Sequence, residues 1–243
     1  METKMKSVQS DQQDWLYCFG EMLLVFLPAL LFIKFTSSWV GEDLIRSYGV
    51  VWVANLLMLA MIWTSLKLRG QSWKELGLTF NPVSLKQGLR VFGQSLVVFL
   101  FGVSFFVLGS IIMANITGIP EGADFSRYDF LKDNLGGLLL SLLGVYFISS
   151  FAEEVIYRAF LINRIVEITQ SFKYSKLIAV LLSSVFFGLV HYEWGAMGMV
   201  QTGFMGLAMG ISYFVLKKRL WTLIIAHIYM DTLLFVQIYL ASN

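Results

Sequence analysis

The chain has 243 residues, of which 57% are hydrophobic and only 14% are charged, and its formal net charge at pH 7 is +2. Soluble domains contain about 25% charged residues, so this composition excludes an ordinary soluble domain and indicates a multi-pass membrane protein. The small net charge gives no basis for nucleic-acid binding, and the single Cys18 excludes an internal disulfide framework and a cysteine-based metal site.

The chain begins with a polar segment, residues 1–14, which we expect to be a disordered tail. A membrane-spanning helix needs about 20 predominantly apolar residues. Seven later segments meet or approach this length, and they are 15–35, 48–66, 90–114, 136–157, 177–191, 197–216 and 220–240. The fifth segment is the shortest. We therefore predict an all-α, polytopic membrane helix bundle of about seven to eight transmembrane helices.

Two polar connectors separate the early spans, at 67–89 and 115–133, and the first should carry an interfacial helix after Pro82. If the N-terminus is cytoplasmic and seven spans alternate, 14 of the 18 Lys and Arg residues fall on the cytoplasmic side. Cytoplasmic loops of membrane proteins carry this excess of basic residues. The distribution predicts a multi-pass protein of the cell membrane with a cytoplasmic N-terminus.

Two adjacent carboxylates, Glu153 and Glu154, end an apolar segment four residues before Arg158. A charged residue at the bilayer centre costs about 2.5–3.5 kcal/mol on insertion scales, so such residues usually mark functional sites. Glu154 and Arg158 are spaced i and i+4 and can pair on one helix face. Glu153 is rotated by roughly 100° from its neighbour and cannot share that alignment. The spacing favours a structural role for Glu154 and a chemical role for Glu153.

Three further ionisable residues interrupt the later spans: His191, His227 and Asp231. Alone, His191 is more typical of an interface anchor than of a catalyst. His227 and Asp231 share one helix face and could be a hydrogen-bonded pair that holds helices together. These structural interpretations stand beside the functional one.

Taken together, these side chains form a group set suited to activating water. A carboxylate or imidazole can act as a general base, and polar donors can stabilise the oxyanion formed by attack on a carbonyl. The same set could bind Zn²⁺ with an open position for water. The sequence contains no HisGluXaaXaaHis zinc-protease motif, no GlyXaaSerXaaGly elbow and no candidate Cys–His dyad.

At these residues the chain resembles the CPBP family, which includes CAAX prenyl endopeptidases and bacteriocin-processing or self-immunity (Abi-type) proteins. GluGluXaaXaaXaaArg at 153–158, PheXaaXaaXaaHis at 187–191 and HisXaaXaaXaaAsp at 227–231 match the three family motifs in order. The resemblance implies a catalytic helix core of the CPBP type at 135–243, preceded by N-terminal transmembrane helices and connectors at 15–134.

The resemblance also implies roles for individual residues. Glu153 would polarise the attacking water with His191 beside it, and His227 and Asp231 would stabilise the tetrahedral oxyanion. The motif residues that would support the site are Glu154, Arg158 and Phe187. The family is similar to glutamate-type proteases that use no cofactor. Zinc held by His191, His227 and Glu153 stays an alternative.

Two expectations concern the geometry of the later motifs. The family carries Asn or Asp at position 231, and an ionised Asp only accepts hydrogen bonds. Asp231 is therefore protonated, or orients His227, or ligates a metal, and we favour the orientation of His227. His191 follows Lys176 by 15 residues, or roughly 22 Å of straight helix, so we expect this helix to begin several residues after Lys176 or to be strongly tilted.

The leading function is an intramembrane endopeptidase that uses a glutamate-activated water to hydrolyse a peptide bond. Its substrate would be a membrane-associated peptide or protein, such as a CAAX-like or leader-peptide substrate, and its surroundings would be the lipid bilayer. The alternative is a non-catalytic immunity or scaffold protein in which the motif residues form a structural polar network. A transporter is a third option, but broken helices and inverted repeats are not evident.

Overall fold

The computed structural model describes residues 2–40, 44–79, 83–118 and 126–242. Within these ranges the chain forms helices and turns and contains no strand. Six of the described helical segments are long and apolar enough to cross a membrane, and Ser175–Leu189 is a shorter apolar helix. The prediction of an all-α polytopic bundle is confirmed.

The first half contains α1 (Glu2–Val40), α2 (Leu44–Leu68) and α3 (Leu85–Thr117). Residues 2–14 form the first turns of α1, whereas the sequence predicts a disordered tail there; this stretch contains no Gly or Pro, which would interrupt a helix. Pro82 lies outside the described residues. The helix that follows it is the start of α3, and this helix continues without a break into the span rather than forming a separate interfacial helix.

The second half begins with one long helical rod. Its first part is α4 (Leu135–Val145), and its last part is α5 (Ile162–Ile168). Between them lie two π-helical segments, Tyr146–Phe151 and Glu154–Leu161. All eight residues of the second π-helical segment are buried, so this part of the rod lies in the centre of the bundle rather than against lipid.

Side chains from neighbouring helices bond to the backbone of both π-helical segments. Asn55 of α2 donates to the carbonyl oxygen of Ile148 at 2.9 Å. Ser183, on the helix that follows the rod, donates to the carbonyl oxygen of Tyr157 at 2.9 Å. In a membrane, backbone polar groups need partners within the protein, so these two side chains help to stabilise a rod with irregular hydrogen bonding.

Three helices complete the bundle: α6 (Ser175–Leu189), α7 (Gly195–Val215) and α8 (Leu220–Ser242). Because α6 begins at Ser175, the first alternative, a start several residues after Lys176, is wrong, and the second, a strong tilt of this helix, stays a prediction. His191 lies in the turn between α6 and α7, just beyond the end of α6.

The connector between α2 and α3 packs onto the turn between α7 and α8. It contains a 3-10 helix, Trp73–Leu76, followed by Gly77 in the left-handed region at φ 84°. A Cβ atom at Gly77 would overlap the carbonyl oxygen of Lys218. Only glycine fits this position, because it has both the required conformation and no side chain. The connector is therefore packed closely against this turn.

A buried ion network joins α1 and α2 to α5. Glu21 of α1 pairs with Arg69, which directly follows α2, at 2.6 Å and with Arg164 of α5 at 2.8 Å. Arg69 also pairs with Glu167 of α5 at 3.0 Å. These contacts connect the N-terminal helices to the rod that carries the paired glutamates, and they fix the position of that rod in the bundle.

Candidate active site

Glu153 lies between the two π-helical segments of the rod and is 9% exposed. Its Oε1 accepts a hydrogen bond from Ser149 at 2.7 Å. Its Oε2 is buried without a hydrogen-bond partner among the described residues and lies 3.9 Å from Nε2 of His227. One oxygen of this carboxylate is held in place and the other faces an imidazole.

Glu154 is fully buried and makes two contacts through one oxygen. Its Oε1 lies 3.1 Å from Nη1 of Arg158 and 2.8 Å from Nδ1 of His227. The guanidinium of Arg158 in turn lies over the ring of Phe187, with its central carbon 4.1 Å from the ring centroid. The i, i+4 pair expected from the sequence is present, and Glu154 additionally orients His227.

Asp231 lies on the other side of the His227 ring. Its Oδ2 is 3.8 Å from Nε2 of His227 and accepts a hydrogen bond from Ser150 at 2.6 Å. The favoured interpretation, in which Asp231 orients His227, does not describe this arrangement, because Nδ1 of His227 bonds to Glu154. Sequence spacing could not show this, since Glu154 and His227 are 73 residues apart.

His191 approaches the same centre from the turn after α6. Its Nδ1 lies 2.7 Å from the carbonyl oxygen of Phe187; because a carbonyl only accepts, Nδ1 carries the hydrogen and Nε2 is left as an acceptor. The ring of Phe187 lies 4.8 Å from the ring of His191 and 6.3 Å from that of His227, centroid to centroid. Glu153 also interacts electrostatically with His191.

The structure thus brings together every residue that the sequence singled out. Two neighbours were missed, Ser149 and Ser150, and each donates a hydrogen bond to a site carboxylate. The spacing of Ser149 and Glu153, four residues on one helix, is a signal that could have indicated the first contact. The second contact joins different helices, and no spacing in the sequence indicates it.

The zinc alternative names His191, His227 and Glu153 as ligands. Across the described ranges, no group of three or more His, Cys, Asp or Glu side chains is placed to hold a metal ion. The Nδ1 atoms of both imidazoles already contact protein acceptors. These contacts leave Nε2 of each ring as the nitrogen through which a metal would be bound.

The geometry suits acid–base chemistry on a small polar substrate group. Inside a largely apolar bundle, Oε2 of Glu153 faces the imidazole of His227, and the imidazole of His191 lies on the other side of a contact with Phe187, which neighbours both rings. In such a low-dielectric setting, charges act on one another more strongly than in water. Acid–base groups in such a setting are able to take part in proton transfer.

Comparison with known families finds one match. Residues 135–233 match the family model Rce1-like, described as a type II CAAX prenyl endopeptidase. This part of the chain is similar to the CAAX protease family. The match covers less than half of the chain but includes all three motifs and every site residue described above. No curated protein and no solved structure matches the chain. The match and the six described helical segments that are long and apolar enough to cross a membrane together indicate a multi-pass membrane protein with a region similar to a membrane protease.

Proposed function

We propose that the protein is an intramembrane endopeptidase in which Glu153 activates the water that cleaves a peptide bond of a membrane-associated substrate. The observation that carries the proposal is the environment of Glu153 Oε2. This oxygen is buried, has no hydrogen-bond partner among the described residues and faces His227 at 3.9 Å. A separation of this size between polar atoms is suited to a bridging water molecule.

In the first step, Glu153 takes a proton from the water while Nε2 of His191 accepts the second hydrogen bond of that water. The resulting hydroxide attacks the carbonyl carbon of the scissile peptide bond. The carbonyl double bond opens, and the oxygen becomes an oxyanion. General-base catalysis of this kind contributes roughly 10²–10⁴-fold to the rate.

In the second step, His227 stabilises the oxyanion. Its Nδ1 donates to Glu154, so Nε2 carries a hydrogen when the ring is an imidazolium. The carboxylates of Glu153, Glu154 and Asp231 surround the ring and favour the positive charge. Glu153 then passes its proton to the leaving nitrogen, the oxyanion reforms the carbonyl double bond as the C–N bond breaks, and a carboxylic acid and an amine are released.

In this scheme Asp231 does not donate to the oxyanion. Its Oδ2 already accepts a hydrogen bond from Ser150, and an ionised Asp has no proton to give. Asp231 instead stabilises the charged form of His227 from 3.8 Å. We propose no metal or cofactor, and we place the N-terminus in the cytoplasm on the basis of the Lys and Arg distribution.

The test compares the membrane proteomes of cells that express the wild-type chain or Glu153→Gln at equal protein levels. We expect peptide termini that are present with the wild type and absent with the variant. A Glu154→Gln variant is less suitable for this comparison, because Glu154 also supports the fold. Equal sets of termini together with a wild-type phenotype for Glu153→Gln would contradict the peptidase proposal and favour a scaffold.

A further inference from the structure

We propose that Ser149 and Ser150 are a pair of positioning residues that aim the two carboxylates flanking His227. This inference deepens the proposed function and rests on it for the catalytic consequence, but the geometry stands by itself. Ser149 donates to Oε1 of Glu153 at 2.7 Å, and Ser150 donates to Oδ2 of Asp231 at 2.6 Å. Neither serine belongs to the three motifs.

The two hydroxyls reach carboxylates on different helices although the serines are consecutive in the chain. Ser149 bonds to a residue of its own rod, four positions later, whereas Ser150 bonds across to α8. Both serines lie in the π-helical segment Tyr146–Phe151. Single-turn π-helical segments often occur at functional sites, and here the segment presents two hydroxyl groups to one site.

Some serines of the bundle bond to their own helix instead, although Ser65 of α2 also donates to a carboxylate, that of Glu21, at 2.6 Å. In α3, Ser104 and Ser110 donate to the carbonyl oxygens four residues earlier, at 2.8 and 3.0 Å. Such bonds back to the helix are the ordinary use of serine within helices. Ser149 and Ser150 direct their hydroxyl hydrogens to carboxylates, and Ser150 does so while fully buried.

The contact at Ser149 determines which oxygen of Glu153 can react. Because Oε1 is occupied by the serine hydroxyl, Oε2 is the oxygen left to take a proton from water. The hydrogen bond from Ser150 holds Oδ2 of Asp231 at 3.8 Å from Nε2 of His227. It therefore fixes the position of the negative charge of Asp231 beside that ring. A hydroxyl can hold a carboxylate in this way without cancelling its charge.

The first experiment requires no substrate. Infrared difference spectra of the purified protein in lipid nanodiscs, with bands assigned through Glu153→Gln and Asp231→Asn, report the hydrogen bonding of each carboxyl group. We expect Ser149→Ala to shift the Glu153 band only, and Ser150→Ala to shift the Asp231 band only. The matched control is Ser184→Ala, which removes a buried hydroxyl bonded to its own helix.

The expected result is this one-to-one pattern, with neither band shifted in Ser184→Ala. Unshifted bands in both serine variants, or the same shift in all three variants, would overturn the proposal. Because the spectra do not depend on activity, this outcome is independent of whether the protein cleaves peptides. A variant that fails to fold is replaced by the corresponding Ser→Cys variant, which keeps the size of the side chain and weakens the donor.

The second experiment measures kinetics on a peptide that the wild type cleaves. A lost hydrogen bond to a charged group corresponds to roughly a 10- to 100-fold lower kcat, and we expect this loss in Ser149→Ala with KM changed by less than about twofold. Ser149→Thr keeps the hydroxyl and should restore most of kcat. A lower kcat that Thr does not restore, or an unchanged kcat in Ser149→Ala, would contradict the positioning role.

Discussion

The paired glutamates should differ sharply when each is replaced by Gln. Glu154 is fully buried, its partner Arg158 is 1% exposed, and their charged atoms lie 3.1 Å apart. Glu154→Gln leaves the guanidinium buried without its counter-charge. Within the described part of the chain, the imidazole of His227 is the cationic partner of Glu153, so Glu153→Gln removes a reactive group without leaving a permanent charge unpaired.

The size of the difference follows from the cost of an uncompensated buried charge. Breaking a buried ion pair by removing one partner costs about 3–5 kcal/mol. We therefore expect Glu154→Gln to lower the free energy of unfolding by roughly 3 kcal/mol or more. For Glu153→Gln we expect a change of about 1 kcal/mol, because the variant loses a charged acceptor for the Ser149 hydroxyl but remains able to accept from it.

Reversible unfolding in mixed micelles, with the variants at matched lipid and detergent composition, measures both values. The double variant Glu154→Gln/Arg158→Met completes the test, because removing both charges should recover part of the lost stability. The reasoning would be refuted if Glu153→Gln destabilised the protein as much as Glu154→Gln, or if the double variant were less stable than the two single changes predict together.

Two further predictions concern the parts of the fold that hold the site. In the same unfolding assay, Gly77→Ala should destabilise the protein more than Gly70→Ala. Both glycines have a positive φ, which costs an alanine about 1–2 kcal/mol, but only a Cβ at Gly77 overlaps Lys218. Equal losses of stability in the two variants would contradict the packing of the connector. Glu21→Gln should cost roughly 1.5–3 kcal/mol, the size of a lost hydrogen bond to a charged group, because it removes the buried carboxylate that pairs with two arginines while both keep Glu167. Glu167→Gln, whose side chain is 40% exposed, is the control and should cost less than about 1 kcal/mol.

The sequence predicted the bundle because apolar length is a direct consequence of bilayer thickness. Each predicted span corresponds to a helix, and even the short fifth span reappears as a 15-residue helix at Ser175–Leu189. The i, i+4 pairing of Glu154 with Arg158 was equally predictable, since both residues lie on one helix. Features that depend on a single helix or on its length are local, and local spacing in the sequence describes them.

The contacts between helices were not predictable in the same way. Nothing in the spacing shows that Glu154 rather than Asp231 bonds to Nδ1 of His227, because the choice depends on how α8 packs against the rod. The two π-helical segments were also missed. Asn55 and Ser183, which lie on other helices, bond to the backbone of these segments. The sequence of the segments themselves does not indicate these partners.

At the beginning of the chain, the polarity of the residues was a poor guide to secondary structure. Residues 2–14 are polar, and polarity alone suggested disorder, whereas α1 starts at Glu2. Good helix formers such as Glu, Lys, Met and Gln are frequent in this stretch, and an existing helix extends more easily than a new one nucleates. A preference for water does not by itself oppose helix formation.

The most direct test of the account is single-turnover cleavage in H₂¹⁸O by the purified wild-type protein and by Glu153→Gln, with a peptide identified from the membrane proteomes. The account predicts one ¹⁸O atom in the new carboxyl terminus formed by the wild type. It also predicts a rate at least about 10²-fold lower for Glu153→Gln, with the free energy of unfolding nearly unchanged. Cleavage by the folded variant within about tenfold of the wild-type rate would contradict the assignment of Glu153 as the base.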